Sequence, residues 1–130
     1  MRSASCRCGQ LTIECVGAPV RISVCHCLAC QQRTGSAFAA QARWPDDRVT
    51  LRGEWTAWER IADSGNRSTY RFCPVCGSTV SYSNESMPGM TAVPIGAFAD
   101  PAFPSPTVSV YEERRHAWTA ILGDDVEHVD

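Results

Sequence analysis

Short runs of alternating apolar and polar residues, broken every few positions by Gly, Asp, Asn or Pro, dominate this chain and predict a mainly β protein. Gln10 to Val16 and Val20 to Val24 read as short strands, and Ser36 to Arg43 as a third, built from small and partly apolar residues. Further strands are expected at Val49 to Arg52, Trp55 to Ile61, Ser68 to Phe72, Thr79 to Tyr82 and Thr91 to Ile95. Pro45-Asp46-Asp47 reads as a turn and the proline-rich Asp100 to Pro106 as an extended loop. No segment carries the long apolar stripe of an amphipathic helix, and only Leu28 to Thr34 has room for a turn or two. The pattern predicts a compact β-sheet sandwich with short loops and little helix, in one domain spanning residues 1–130.

Large apolar side chains are few, so Trp44, Trp55, Trp58, Trp118, Phe38, Phe98 and Phe103 are expected to supply much of the core. The net charge of -2 and the scattering of the basic residues exclude the electrostatic footprint of a nucleic-acid-binding surface. All twelve basic residues are arginine, which removes lysine Schiff-base chemistry from consideration.

Cysteine changes the picture. Seven of the eight fall into three clusters: Cys6-x-Cys8, Cys25-x-Cys27-x-x-Cys30 and Cys73-x-x-Cys76. The two pairs complete a set of four only with each other, which leaves Cys25, Cys27 and Cys30 as a set of three. A zinc ion held by four cysteines is closed and structural, whereas one with three protein ligands keeps a position for water or substrate. With zinc–sulfur bonds of about 2.3 Å, ligand sulfurs lie roughly 3.8 Å apart, nearer than roughly 6.5 Å between alternate residues of a strand. The Cys-x-Cys pair must therefore sit at a backbone bend. Gly9 allows one after Cys8, and Pro74 and Gly77 shape a turn around Cys73 and Cys76. Cys15 stands alone and reads as a small buried side chain.

Two other readings of clustered cysteines are disulfides and thioredoxin-like redox chemistry. Disulfides belong to oxidising compartments. The start of the chain offers no apolar signal-peptide stretch, and no run approaches membrane-spanning length, so a soluble cytoplasmic protein with reduced thiols is expected. A redox Cys73-x-x-Cys76 needs a helix beginning at the motif and leaves the other clusters unexplained.

The string Cys25-His26-Cys27-Leu28-Ala29-Cys30-Gln31-Gln32-Arg33-Thr34-Gly35-Ser36-Ala37-Phe38 resembles the glutathione-dependent formaldehyde-activating family, which includes the CENP-V type proteins. So do Ser5-Cys6-Arg7-Cys8-Gly9, Phe72-Cys73-Pro74-Val75-Cys76-Gly77-Ser78, Pro94-Ile95-Gly96-Ala97-Phe98 and Tyr111-Glu112-Glu113-Arg114-Arg115-His116-Ala117-Trp118, in the family's order. The resemblance implies an Mss4-like β fold with a structural zinc on Cys6, Cys8, Cys73 and Cys76 and a second zinc on Cys25, Cys27 and Cys30. It also implies a carbon–sulfur lyase that interconverts S-hydroxymethylglutathione with glutathione and formaldehyde.

Zinc with three thiolates carries a net negative charge and is a poor activator of hydrolytic water, so a substrate thiol suits the open position better. Three ligands bind more weakly than four, and the second zinc is the one expected to be lost on purification. His26 lies between two ligands and in an extended segment points away from the metal, which suits packing or support of the ligands. His116 is the other proton-transfer candidate, while His128, near the terminus, is given no role. Arg33 offsets the charge of the trio or grips a carboxylate, Thr34 and Ser36 offer pocket hydrogen bonds, and motif position sets Phe38 and Trp118 beside a pocket. Two alternatives stay open: a non-catalytic zinc module of Mss4-like fold that binds a protein, and a related enzyme acting on a different small molecule.

Overall fold

The computed structural model describes all residues, 1–130. Its strands are β1 (Arg2–Ser5), β2 (Thr12–Cys15), β3 (Arg21–Cys25), β4 (Ala39–Pro45), β5 (Val49–Arg52), β6 (Thr56–Ile61), β7 (Arg67–Phe72), β8 (Thr79–Asn84), β9 (Met90–Pro94), β10 (Val108–Val110) and β11 (Glu127–His128), with one helix, α1 (Leu28–Thr34). They form two sheets, a small one ordered β1-β2-β5 and a large one ordered β11-β10-β3-β4-β9-β8-β7-β6. The mainly β sandwich with little helix expected from the alternation is the fold observed. No helix is long and apolar enough to cross a membrane.

The core lies between the sheets. Leu11, Ile13 and Cys15 face inward from the small sheet, where successive residues of β2 alternate between buried and half-buried as a one-sided strand requires. Ile22, Ala42, Trp44, Val80 and Val93 face them from the large one. Trp44 is fully buried, packs on Phe98 with ring centroids 5.7 Å apart, and donates from Nε1 to the carbonyl of Gly17 at 2.9 Å. Its polar atom therefore brings no unpaired donor into the core.

The opposite face of the large sheet is polar although much of it is buried. Antiparallel register sets Arg21 against Arg43, Ser23 against Gln41 and Cys25 against Ala39. Gln41 donates to Ser23 Oγ at 2.6 Å, the Tyr82 hydroxyl donates to Gln41 Oε1 at 2.7 Å, and Arg43 donates to Ser23 Oγ at 3.2 Å. Tyr82 reaches this face through a register shift. Arg71 pairs with Ser81 but Phe72 pairs with Thr79, so Val80 is the extra residue of a bulge. Strict alternation would have sent Val80 and Tyr82 to one side; the bulge gives the core Val80 and the polar face Tyr82.

Two expectations are corrected here. Trp55, Trp58 and Trp118 are not core: they are 44%, 55% and 76% exposed, because β6 is the open edge of the large sheet and Trp118 follows the last paired segment before the C-terminal turn. Strands β1, β10 and β11 are additions to the sequence reading. Each is short, and β10 and β11 join the sheet by parallel pairing with distant residues, Val108 opposite Ser23 and opposite Glu127.

Because Trp44 fills the centre of the core, Trp44→Ala is expected to cost about 3–5 kcal/mol in urea unfolding. A loss below about 1 kcal/mol would show that the two sheets do not close over this ring.

Candidate metal centres and the surrounding site

Cys6 and Cys8 lie in the bend between β1 and β2, and Cys73 and Cys76 in the turn between β7 and β8. In each bend a glycine takes a left-handed conformation, Gly9 at φ 88° and Gly77 at φ 81°, which lets the chain double back. The backbone closes both turns: the Cys6 N–H donates to the Leu11 carbonyl at 2.9 Å and the Gly77 N–H to the Cys73 carbonyl at 2.8 Å. All four sulfurs then lie within 4.8 Å of one another, Cys6 Sγ 3.6 Å from Cys8 Sγ and Cys8 Sγ 3.7 Å from Cys73 Sγ. These spacings match the tetrahedral edge of a zinc–thiolate site at about 2.3 Å per bond.

Donors surround the sulfurs as they do around metal-bound thiolates. The Leu11 N–H points at Cys6 Sγ at 3.3 Å and the Val75 N–H at Cys73 Sγ at 3.4 Å. Gln10 Nε2 donates to Cys73 Sγ at 3.0 Å and to the Glu54 carbonyl at 2.8 Å, while Gln10 Oε1 accepts from the Glu54 N–H at 3.0 Å. Burial disfavours the Cys73 thiolate, yet the Gln10 amide and the N–H groups of Cys76 and Val75 hold this thiol below its ordinary range. Hydrogen bonding to Ser78 pulls Cys76 down to about 5. Two of the four thiols are thus prepared to lose protons. Against the pull of the Gln10 N–H, Cys8 is pushed up to about 11 by the Cys6 thiol, by burial and by the thiols of Cys73 and Cys76, so full deprotonation of the quartet calls for a cation among the sulfurs.

The second cluster is built by one continuous stretch. Cys25 ends β3, Cys27 is the N-cap of α1 with the Cys30 N–H donating to its Sγ at 3.3 Å, and Cys30 falls in the first turn. The three sulfurs lie within 4.8 Å of one another. Hydrogen bonds from Cys25 and then Cys30 hold the Cys27 thiol far below its ordinary range, and the same sharing, added to burial, pushes Cys25 far above it. Three thiols this close lose all their protons only beside a cation, so the donor set fits a metal ion with one tetrahedral position left over.

The neighbours of the trio divide around α1. His26 points back into the protein, fully buried, its Nε2 2.8 Å from Ser109 Oγ on β10 and its ring 6.0 Å from Phe38. Burial holds this imidazole below its ordinary pKa and so neutral. The His26 N–H donates to the Val110 carbonyl at 3.1 Å, and Gln31 Nε2 donates to the His26 carbonyl at 2.8 Å. Gln31 Oε1 lies 2.8 Å from His116 Nε2, and His116 packs against the exposed Trp118 at 5.3 Å. On the other side, Arg33 lies over Tyr82 and Tyr70.

The structure therefore brings Cys25, Cys27 and Cys30 together at the start of α1, sets Phe38 against the His26 ring behind them, and ties His116, with Trp118 packed on it, to α1 through Gln31. Thr34 is turned to its own helix, donating from Oγ1 to the Cys30 carbonyl at 2.9 Å and accepting from the Ser36 N–H at 3.1 Å, so this pair shapes the helix end. His128, given no role from sequence, has a partner: its Nδ1 is 2.7 Å from Glu112 Oε2. Gln10 and Gln31 escaped sequence reading because each acts through contacts far along the chain. Gln41 alone left a trace, a polar residue between two alanines of β4.

A mainly β domain of two sheets, joined by one metal-competent cysteine quartet and carrying a separate trio, is the class defined by this geometry. The chain belongs to the glutathione-dependent formaldehyde-activating enzyme family, whose model matches residues 1–114. Among solved structures, the crystal structure of a Rhodobacter sphaeroides protein determined as a structural-genomics target aligns with a TM-score of 0.58. That alignment has 21% identity and covers 73% of this chain and 85% of the other, which bears on the fold alone. A comparison with curated proteins gives no match.

Cys15 belongs to neither cluster; it is fully buried, and burial pushes its thiol up to about 11. At about pH 8, iodoacetamide is expected to leave Cys15 unmodified in the native protein and to label it after unfolding, read by peptide mass spectrometry. Labelling of Cys15 at the rate of a free thiol in native protein would contradict the packing described.

Proposed function

We propose that this protein is a zinc-dependent carbon–sulfur lyase that interconverts a thiol and a small aldehyde with their S-hydroxymethyl adduct, glutathione and formaldehyde being the reactants the family points to. One observation carries the reading: Cys25, Cys27 and Cys30 are one donor short of a tetrahedral site, beside a quartet that is complete. Zinc held by the trio would supply a fourth position in which a substrate thiol binds as thiolate at neutral pH.

In the forward direction the thiol sulfur forms a bond to the aldehyde carbon, the carbonyl π pair moves to oxygen, and the resulting alkoxide takes up the proton the thiol released. In reverse, the hydroxyl proton leaves, the carbonyl re-forms and the carbon–sulfur bond breaks with its electron pair on sulfur. His116 is assigned to this proton transfer. It is exposed and is held beside α1 by Gln31, whereas His26 is closed off behind the trio with its Nε2 occupied by Ser109. Arg33 is assigned to charge compensation: the Cys30 thiol lies above its ordinary range, the hydrogen bond with Cys25 acting downward against Cys27 and burial, and the Arg33 cation adds to the downward pull. Cys6, Cys8, Cys73 and Cys76 are assigned a structural zinc that joins the sheets.

The test is zinc content per chain together with the rate of S-hydroxymethylglutathione formation over the spontaneous reaction. Wild type, purified with zinc supplied throughout, is expected to hold two zinc ions and to accelerate the reaction. Cys27→Ser should hold one, keep its circular dichroism spectrum and lose the acceleration. Cys73→Ser should unfold, because a structural zinc of this kind contributes roughly 10 kcal/mol or more of folding free energy. His116→Ala should keep both metals and lower kcat by about a hundredfold, as loss of a proton-transfer group does. One zinc in both wild type and Cys27→Ser, or an unchanged rate in Cys27→Ser, would overturn the lyase reading.

A further inference from the structure

Beyond the trio, on the far side of α1, a single row of side chains crosses the polar face of the large sheet. Arg43 pairs with Ala92, Ala92 with Tyr82, Tyr82 with Tyr70 and Tyr70 with Trp58, so one residue from each of five strands falls in line. The aromatic end of the row is a ladder, with ring centroids 5.5 Å apart from Tyr82 to Tyr70 and 5.9 Å apart from Tyr70 to Trp58. Arg33 comes down onto it from α1, its guanidinium carbon 4.6 Å from the Tyr82 centroid and 5.1 Å from that of Tyr70.

Between α1 and this ladder runs a groove of about 760 Å³, within the size range of pockets for small organic molecules. Leu28, Gln32 and Arg33 line the helix side, and Trp58, Tyr70 and Phe72 the sheet side. Arg60 also borders it and no acidic residue does; Glu59, the acid nearest in sequence, alternates to the opposite face of β6 and pairs there with Arg67. Trp58, more than half exposed, closes the outer end.

Arg33 is the unusual member. Aromatic stacking fixes its plane but satisfies none of its N–H groups, which lie at the rim of a guanidinium rather than on its face. It makes no ion pair, and its Nε is buried without a hydrogen-bond partner. A buried donor on a permanently charged group is costly to leave unmade. The Nε is sealed in, but the two terminal nitrogens are neither sealed nor hydrogen-bonded, and the acceptor that fits their edge is a carboxylate, bound through two parallel N–H···O bonds. The floor beside it offers a ring face for offset stacking. An anionic head and a flat apolar body are thus asked for at neighbouring points of one groove, and glutathione and formaldehyde have no flat body to place there.

We propose that this groove binds a flat aromatic carboxylate, its ring on Trp58 and Tyr70 and its carboxylate on Arg33. The binding needs neither thiol nor metal chemistry, and Arg33 is the one residue it shares with the lyase reading.

The experiment titrates the zinc-loaded protein with 2-naphthoate and, as the uncharged counterpart, 2-naphthalenemethanol, by calorimetry and by amide NMR shifts. The acid is expected to bind and to shift signals of α1, β6 and β7, with the alcohol about tenfold weaker. Arg33→Met should bring the acid down to the alcohol's affinity, Arg33→Lys should keep part of the preference, and Trp58→Ala should weaken both compounds. Equal affinities of acid and alcohol in wild type, a preference unchanged by Arg33→Met, or shifts confined to other parts of the fold would each overturn the proposal. Should Arg33→Met fail to fold, the acid-to-alcohol ratio in wild type and the effect of the exposed Trp58→Ala still decide. No thiol or aldehyde is present in the titration, so failure here leaves the lyase reading standing, and failure of the lyase assay leaves this site standing.

Discussion

The meeting of four sulfurs from two sheets is the constraint on which the rest of this structure depends. Cys6 and Cys8 come from the small sheet and Cys73 and Cys76 from the large one, and Cys6 and Cys73 lie inside the apolar core rather than at its margin. The quartet is therefore part of the packing between layers. A buried thiol cluster of this kind persists only with its charges and lone pairs answered. The N–H of Leu11 and the side chain of Gln10 answer two of them, and Gln10 in turn holds Glu54 at the entrance to β6. That chain of contacts ties the entrance of the edge strand carrying Trp58 to the quartet.

A second consequence concerns where chemistry is tolerated. With the core on one face of the large sheet, the other face is free to be polar, and period-two alternation carries Ser23 and Cys25 of β3 and Gln41 and Arg43 of β4 to it together. The trio thus begins on a surface already furnished with hydrogen-bonding and cationic groups. Burial pushes the Arg43 guanidinium down from its ordinary value, and the pull of the Tyr82, Cys25 and Cys30 side chains acts the other way, so the arginine and the thiol cluster each stabilise the other's charge. The bulge at Val80 is what admits Tyr82 to this arrangement without taking Val80 from the core.

Much of this was legible in the sequence. Eight strands and the short helix follow from local alternation and from breaker residues, and the two cysteine sets follow from counting, since donor number is fixed by the residues themselves. What was not legible depends on pairing between distant segments. β10 has only three residues and no distinctive pattern; it exists because β3 offers it an edge. Trp58 reads as core by composition but stands on an edge strand, a fact about sheet order that no local pattern encodes. Gln31 looks like any polar helix residue until His26 and His116 are seen on either side of it.

β10 also explains why the cysteine motif is not sufficient to make its own site. Cys25, Cys27 and Cys30 span the end of a strand and the first turn of a helix only seven residues long, too short to be stable by itself. The junction is held from behind: the Val110 carbonyl receives the His26 N–H, and Ser109 holds the His26 ring. His26 is therefore a wedge between two of the clustered thiols, pinned to a strand more than eighty positions away along the chain. Glu112 and His128 brace the far side of that strand, as β11 extends the sheet by one more parallel pairing. The angle between Cys25 and Cys27, and with it the opening left for a fourth donor, is thus set by the C-terminal part of the fold. Three thiols close in sequence supply a donor set, while the tertiary contact behind them decides the geometry in which it is presented.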